Sequence, residues 1–172
     1  MRVLERLADG ASCAVRIIGG LAAWSGLALV LLVAFNVLAR YFLSYSSVGL
    51  QELEWHLMAV AALFGMSYGL NQGGEVRVDI FYARYGARTK AVIDLIGNGA
   101  LTLVAVYVVW LSIAYVQSSY AIAEGSPDPG GLPLRYVLKA AIPAGFALLA
   151  LQGLAMTLRA GCEAVDPARH RT

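Results

Sequence analysis

Charge is what this sequence has least of. Its 172 residues include 13 Lys or Arg and 11 Asp or Glu, so 14% are charged, where a soluble domain usually carries about 25%. A water-soluble fold covers its surface with charge, and here there is too little to do so. The charges are also clumped, which leaves four long runs without any Asp, Glu, Lys or Arg. With 59% hydrophobic residues and a mean hydropathy of +0.67, the chain reads as an all-α integral membrane protein, and the soluble classes are set aside.

Cysteine and histidine are scarcer still. Cys13 and Cys162 lie near opposite ends, and no CxxC or Cys/His spacing is present to make a zinc site, a redox pair or a disulfide framework. A haem held between helices needs two facing histidines, but His56 opens the second apolar run and His170 lies in the tail, which excludes a bis-histidine haem within one chain. The zincin, phosphate-loop and nucleophile-elbow motifs are missing. No Lys/Arg-rich run exists to follow a nucleic-acid backbone, and the net charge is only +2. The expectation is therefore no catalytic residue, no metal, no cofactor and no nucleic-acid partner.

What the sequence does have is four uncharged stretches, and they predict spans over about 17–39, 55–74, 95–117 and 140–158. A helix crosses ~30 Å of hydrocarbon with roughly 20 residues at 1.5 Å each. Continuous apolar runs of this length lack the alternation of a membrane barrel. The third run continues to Ala123, and Gln117, Ser118 and Ser119 mark where it leaves the lipid. The whole chain, 1–172, reads as one four-helix membrane domain.

Orientation follows from the basic residues. Arg2, Arg6, Arg16, Arg77, Arg84, Arg88, Lys90, Arg159, Arg169 and Arg171 fall on one side, and only Arg40, Arg135 and Lys139 on the other. The positive-inside rule then places both termini and the central loop in the cytoplasm. The first run follows a charged segment containing Glu5 and Asp9 and has no A-x-A site after it, so it reads as a retained helix rather than a cleaved signal. Before it, Leu4, Leu7, Ala11, Ala14 and Ile18 recur at helical spacing among charges. That pattern predicts either a short amphipathic helix in the headgroup layer or an ordinary frayed start.

The polar residues inside the runs are uncharged: Asn36, Ser67, Asn71, Asn98, Thr102 and Gln152. Helix-to-helix hydrogen bonding is the default role for such side chains in lipid. Gly65 and Gly69 form a GxxxG pattern that permits a close helix crossing, and Pro143 either kinks the fourth helix or sits in its first turn. Glu52 and Glu54 point to different sides of a helix, whereas Glu52 and His56 are one turn apart and can bond at the interface. Lys90 and Asp94 have the same spacing. The stretch from Glu124 to Pro133 holds three prolines and three glycines, which favours a rigid, shaped loop over a helix. It reads either as a solvent-exposed spacer or as a docking surface. At this level three functions stay open: a subunit of a larger transporter, a self-sufficient small transporter, and the membrane anchor of a redox complex.

Several stretches, in order along nearly the whole chain, resemble the small permease subunit of TRAP (tripartite ATP-independent periplasmic) transporters, the DctQ type. They are Asn36-Val37-Leu38-Ala39-Arg40-Tyr41, Glu52-Leu53 with Trp55, Gly65, Val76-Arg77-Val78-Asp79, Ser126-Pro127, Gly131-Leu132-Pro133 and Ile142-Pro143-Ala144-Gly145-Phe146. The fourth of these is usually preceded by His, where this sequence has Glu75. The resemblance implies a four-helix inner-membrane subunit that works with a large multi-span permease and a periplasmic substrate-binding protein. It implies sodium-driven uptake of an organic acid, with the small subunit as fixed scaffold. Arg40, Tyr41, Glu52, Trp55 and Arg135 then become candidate interface residues on the outer side, with Arg77, Asp79 and Arg84 on the inner side; Asn36, Gly65, Gly69, Asn71 and Pro143 become candidates for helix packing.

Overall fold

The computed structural model describes residues 2–74, 82 and 84–165. Among the described residues four long helices and no strand are present: α1 (Arg2–Leu43), α2 (Val48–Asn71), α3 (Ala87–Ala121) and α4 (Arg135–Val165). The helices stop where the chain supplies a stereochemical exit. After α2, Gly73 takes φ 75°, and the amides of Gly73 and Gly74 return to the carbonyls of Leu70 and Gly69 at 3.1 and 2.8 Å. This is the Schellman ending that glycine makes easy. α3 ends in the same way with alanine in the glycine place: Ala123 has φ 46°, and Ala123 and Glu124 donate to Tyr120 and Ser119. An L-residue held there costs on the order of 1 kcal/mol, so tertiary contacts beyond it must hold the exit.

α1, α3 and α4 are long and apolar enough to cross a membrane, with mean hydropathies of 2.3, 2.0 and 1.7 over their best windows. α2 is not among them, because Glu52, Glu54 and His56 occupy its first turns and Asn71 its last residue. α1 is one uninterrupted helix of 42 residues, about 63 Å long and twice the hydrocarbon thickness. Neither a separate short helix nor a frayed start is therefore seen over residues 2–43. Along the first turns it is the small side chains that pack inward. Ala8, Ser12 and Val15 are buried, while Leu4 and Leu7 point outward. Small side chains win the inner face because they let α1 lie close to its neighbours: a Cβ on Gly19 would come within 2.7 Å of the Tyr68 Cβ.

α4 is the centre of the bundle and packs on α1, α2 and α3, while α1 also packs on α2. A third of the apolar window of α4 is buried, against 6% in α1 and 11% in α3. The core is built mostly from alanine, with Gly19, Gly145 and Gly153 at the tight helix crossings. Large apolar side chains such as Leu21, Trp24, Leu103 and Trp110 face outward. That inversion is the packing expected where lipid, not water, is the solvent.

A Cβ on Gly65 or Gly69 would meet nothing within 4 Å, so neither lies at a crossing between the described helices. The close approaches fall at Gly19 on Tyr68, Gly145 on Leu63 and Gly153 on Thr102. Pro143 lies in the interior of α4, eight residues after Arg135, and not in its first turn.

Candidate functional site

Contacts along the helices bring the start of α2, the end of α3, the start of α4 and the loop 122–134 to one end of the bundle. Glu52, only 4% exposed, is the hub there. Its carboxylate accepts from the Ser126 hydroxyl, from the Leu132 amide at 2.6 Å and from Arg135 at 3.5 Å. One side chain on α2 thus holds both limbs of the loop and the first residue of α4. A second carboxylate closes the base of the loop. Glu124 accepts from Ser119 at 2.6 Å and from the Lys139 ammonium, which sits 4.3 Å from the centre of the Tyr115 ring. Main-chain bonds complete the clasp, from Arg135 to Glu124 at 2.9 Å and from Ser126 to Leu132 at 3.1 Å.

The loop is therefore shaped rather than merely solvated. Gly130 takes φ 81°, a backbone angle that favours glycine, and a Cβ on Gly131 would collide with the Ser126 side chain, so Gly131 is required by the close approach. Leu134, at φ 66°, makes the last turn into α4. Beside the clasp, a cleft of about 270 Å³ opens between α2, α3 and α4; Trp55, His56 and Tyr115 lie near its polar rim, and Ala59, Leu63 and Ile142 line its apolar depth.

His56 does not pair with the Glu52 side chain. Its Nδ1 donates to the Glu52 main-chain carbonyl at 2.7 Å, because the carboxylate is already taken by the loop. Glu54, on the other side of α2, accepts from Asn36 of α1 at 2.9 Å, which leaves the buried Asn36 Oδ1 without a donor among the described residues. Arg40 is exposed in the last turn of α1, where its charge complements the negative end of the helix dipole, and Trp55 is 64% exposed. At the opposite end, Asn71 donates to the Ser12 carbonyl of α1 and to Gln152 of α4, each at 3.1 Å. Arg84 is exposed there, and the Lys90 ammonium and the Asp94 carboxylate both turn to Tyr82. Arg77 and Asp79 lie outside the described residues.

Glu124, Ser126 and Lys139 had not been singled out from the sequence as site residues. A signal for two of them was present: Glu124 follows one uncharged run and Lys139 precedes the next, which puts opposite charges beside the end of α3 and the start of α4.

Both carboxyls of the clasp lie outside the uncharged runs. The Ser126 hydroxyl and then the Leu132 amide hold the Glu52 pKa below the ordinary carboxylate value, against the opposing effect of desolvation. Lys139 and then Ser119 do the same for Glu124. Groups depressed on folding contribute stability that is complete above their unfolded value, near 4.5, and is lost as pH falls through the lower folded value. The thermal midpoint of the purified chain is expected to be flat from neutral pH down to about pH 5 and to fall below about pH 4. Glu52→Gln should flatten part of that acid limb, and an unaltered acid limb would contradict the assignment.

Fold and site together define a small, all-helical integral membrane protein whose polar side chains are bonded chiefly to one another; among the described residues no group of His, Cys, Asp and Glu gathers as a metal site. A family model described as "Tripartite ATP-independent periplasmic transporters, DctQ component" matches residues 29–162, well over half of the chain. The chain belongs to that family and is a small membrane subunit of a TRAP transporter. The family is one of inner-membrane transporter subunits and not of enzymes. No curated protein matches the chain.

Proposed function

We propose that the chain crosses the inner membrane four times with both termini in the cytoplasm, and serves as the fixed scaffold of a sodium-driven importer of organic acids. In this reading the large permease subunit carries substrate and sodium, and the periplasmic substrate-binding protein delivers the substrate. The loop 122–134 faces the periplasm and presents a preset surface to one of these partners. The observation that carries the reading is the Glu52 clasp, which joins that loop to α2 and α4. A scaffold beside a moving domain has to keep its own shape, and buried, satisfied polar contacts provide that rigidity.

The second helix fits four crossings despite its polar ends. Its 24 residues reach about 36 Å. Glu52 and Glu54 lie in its first turns, and both accept hydrogen bonds from other segments of the chain. The absence of Asp, Glu, Lys and Arg from the four uncharged runs agrees with a subunit that holds no ion-coupling carboxylate of its own.

The test is recovery of partners in mild detergent from the native host by way of the tagged chain. A large polytopic permease at fixed ratio is the expected result. A chain recovered alone that still moves solute in liposomes would overturn the proposal. Arg40→Ala and Trp55→Ala should lower permease recovery several-fold while leaving the thermal midpoint of the isolated chain unchanged, because both side chains are exposed. Arg77→Ala and Asp79→Ala are proposed to weaken assembly more than they change substrate affinity.

A further inference from the structure

At the end of the bundle opposite Glu52, the chain forms a polar pocket of about 340 Å³ lined by Asp9, Ser12, Cys13, Arg16, Asn71 and Arg159. Its floor is fixed. Asn71 bridges the Ser12 carbonyl and Gln152, and Gln152 is only 2% exposed. One wall is Arg159, whose Nη2 donates to Asp9 Oδ1 and to Ser12 Oγ, both at 3.0 Å. A guanidinium has five donors, so Arg159 keeps several for another acceptor. Arg16 faces the same pocket, is exposed, and contacts the Cys13 sulfur at 4.0 Å. Among the described residues no ion pair involves it. Within the pocket's own lining two cations face the single carboxylate of Asp9, while Glu5 and Glu163 line a neighbouring cleft that shares Asp9 and Arg159.

Depth identifies the occupant. Arg16 immediately precedes the uncharged run that begins at Ile17, and Arg159 immediately follows the run that ends at Leu158. Both guanidiniums therefore sit at the edge of the hydrocarbon, at the level of lipid phosphates. Leading away from Arg16 along α1, Ile17, Leu21 and Trp24 recur at four- and three-residue spacing and are 58%, 68% and 68% exposed. They make an apolar ridge on the adjoining face of α1, roughly 80–140° around the helix from Arg16, that begins at the next residue and runs into the membrane.

We propose that this pocket binds the phosphodiester of an anionic phospholipid, with Arg16 and the free donors of Arg159 on the phosphate and the acyl chains along the Ile17–Leu21–Trp24 ridge. The planar guanidinium fork matches phosphate oxygens in a way a lone ammonium does not. Inorganic phosphate offers the same oxygens without the chains, and the ridge selects the lipid. The inference requires only that the chain be in a membrane. It goes beyond the transporter reading and does not depend on the permease, so the two can fail separately.

The test uses the full chain in mild detergent, offered equal amounts of phosphatidylglycerol and phosphatidylcholine with identical acyl chains, and native mass spectrometry of the retained lipid. Phosphatidylglycerol should be retained in excess. Arg16→Gln should cut that excess about fivefold, the effect of one basic residue near an anionic surface, and Asp9→Asn should raise it by about the same factor. Arg88→Gln, exposed at the start of α3 and outside the pocket, should leave it unchanged. A merely structural Asp9 would give no gain, so this variant keeps the proposal testable even where an arginine variant folds poorly. Equal retention of both lipids, an unaltered ratio in Arg16→Gln, or loss of the preference on adding millimolar inorganic phosphate would each overturn the proposal; the last would make the pocket a soluble-anion site.

Discussion

Glu52→Ala should detach the loop 122–134 from the bundle while leaving the four helices formed. The substitution removes at once the acceptor of the Ser126 hydroxyl, of the Leu132 amide and of Arg135. Arg135 can turn to solvent, since its side chain is already 32% exposed. The Leu132 amide loses a bond to a charged acceptor, so its hydrogen exchange should quicken by at least about tenfold. Exchange measured by mass spectrometry on the segment 124–135 reads this directly, with the α3 segment 101–115 as an unchanged internal control. Gly131→Ala should reproduce the effect without touching the carboxylate, because the added Cβ would fall 2.3 Å from the Ser126 Oγ and 2.9 Å from Glu52 Oε2. Exchange in both variants at the parent rate would mean that the loop is held by something other than Glu52.

Gly145→Leu should destabilise the bundle strongly. Even the first added atom would lie 2.8 Å from the Leu63 Cβ and 3.1 Å from the Leu63 carbonyl, and a main chain within a helix cannot move aside cheaply. Overpacking of this kind typically costs about 1–3 kcal/mol, and here it falls where α2 meets the central helix. The same replacement at Gly65 or Gly69 should be neutral or slightly stabilising in the isolated chain. A Cβ at either position enters open space, and leucine favours the helix over glycine by up to about 1 kcal/mol. Thermal midpoints of the three variants in one detergent separate these outcomes. A loss at Gly65 equal to that at Gly145 would contradict the crossing geometry.

These contrasts show which parts of the molecule a linear reading can reach. Helical class and membrane placement were legible because both depend on sums over many residues: the scarcity of charge, and runs long enough to span hydrocarbon. The ends of α2 and α3 were legible in part, since Gly73 and Gly74 announce the first exit. The second is made by Ala123, which carries no glycine signal. The packing faces were less accessible. GxxxG on α2 is a permissive pattern that any helix with two glycines four residues apart presents, and whether it is used depends on which neighbour lies against it. Along the first turns of α1 the packed face is that of Ala8, Ser12 and Val15, while the larger Leu4 and Leu7 face outward. In a membrane large apolar side chains lose little by facing lipid, so burial follows size and fit more than hydrophobicity.

By itself the sequence determined the solvent, the helical class and the family. Each rests on composition and on motifs in order, which survive without knowledge of any contact. Only the tertiary structure decided that α4 is the central helix, that Glu52 serves the loop rather than His56, and that Arg16 and Arg159 face one polar pocket from opposite ends of the chain. The physical reason is separation along the chain. Glu52 and Leu132 are 80 residues apart and Asp9 and Arg159 150 apart; such pairs are chosen by how four helices settle against one another, and local spacing carries no information about that choice.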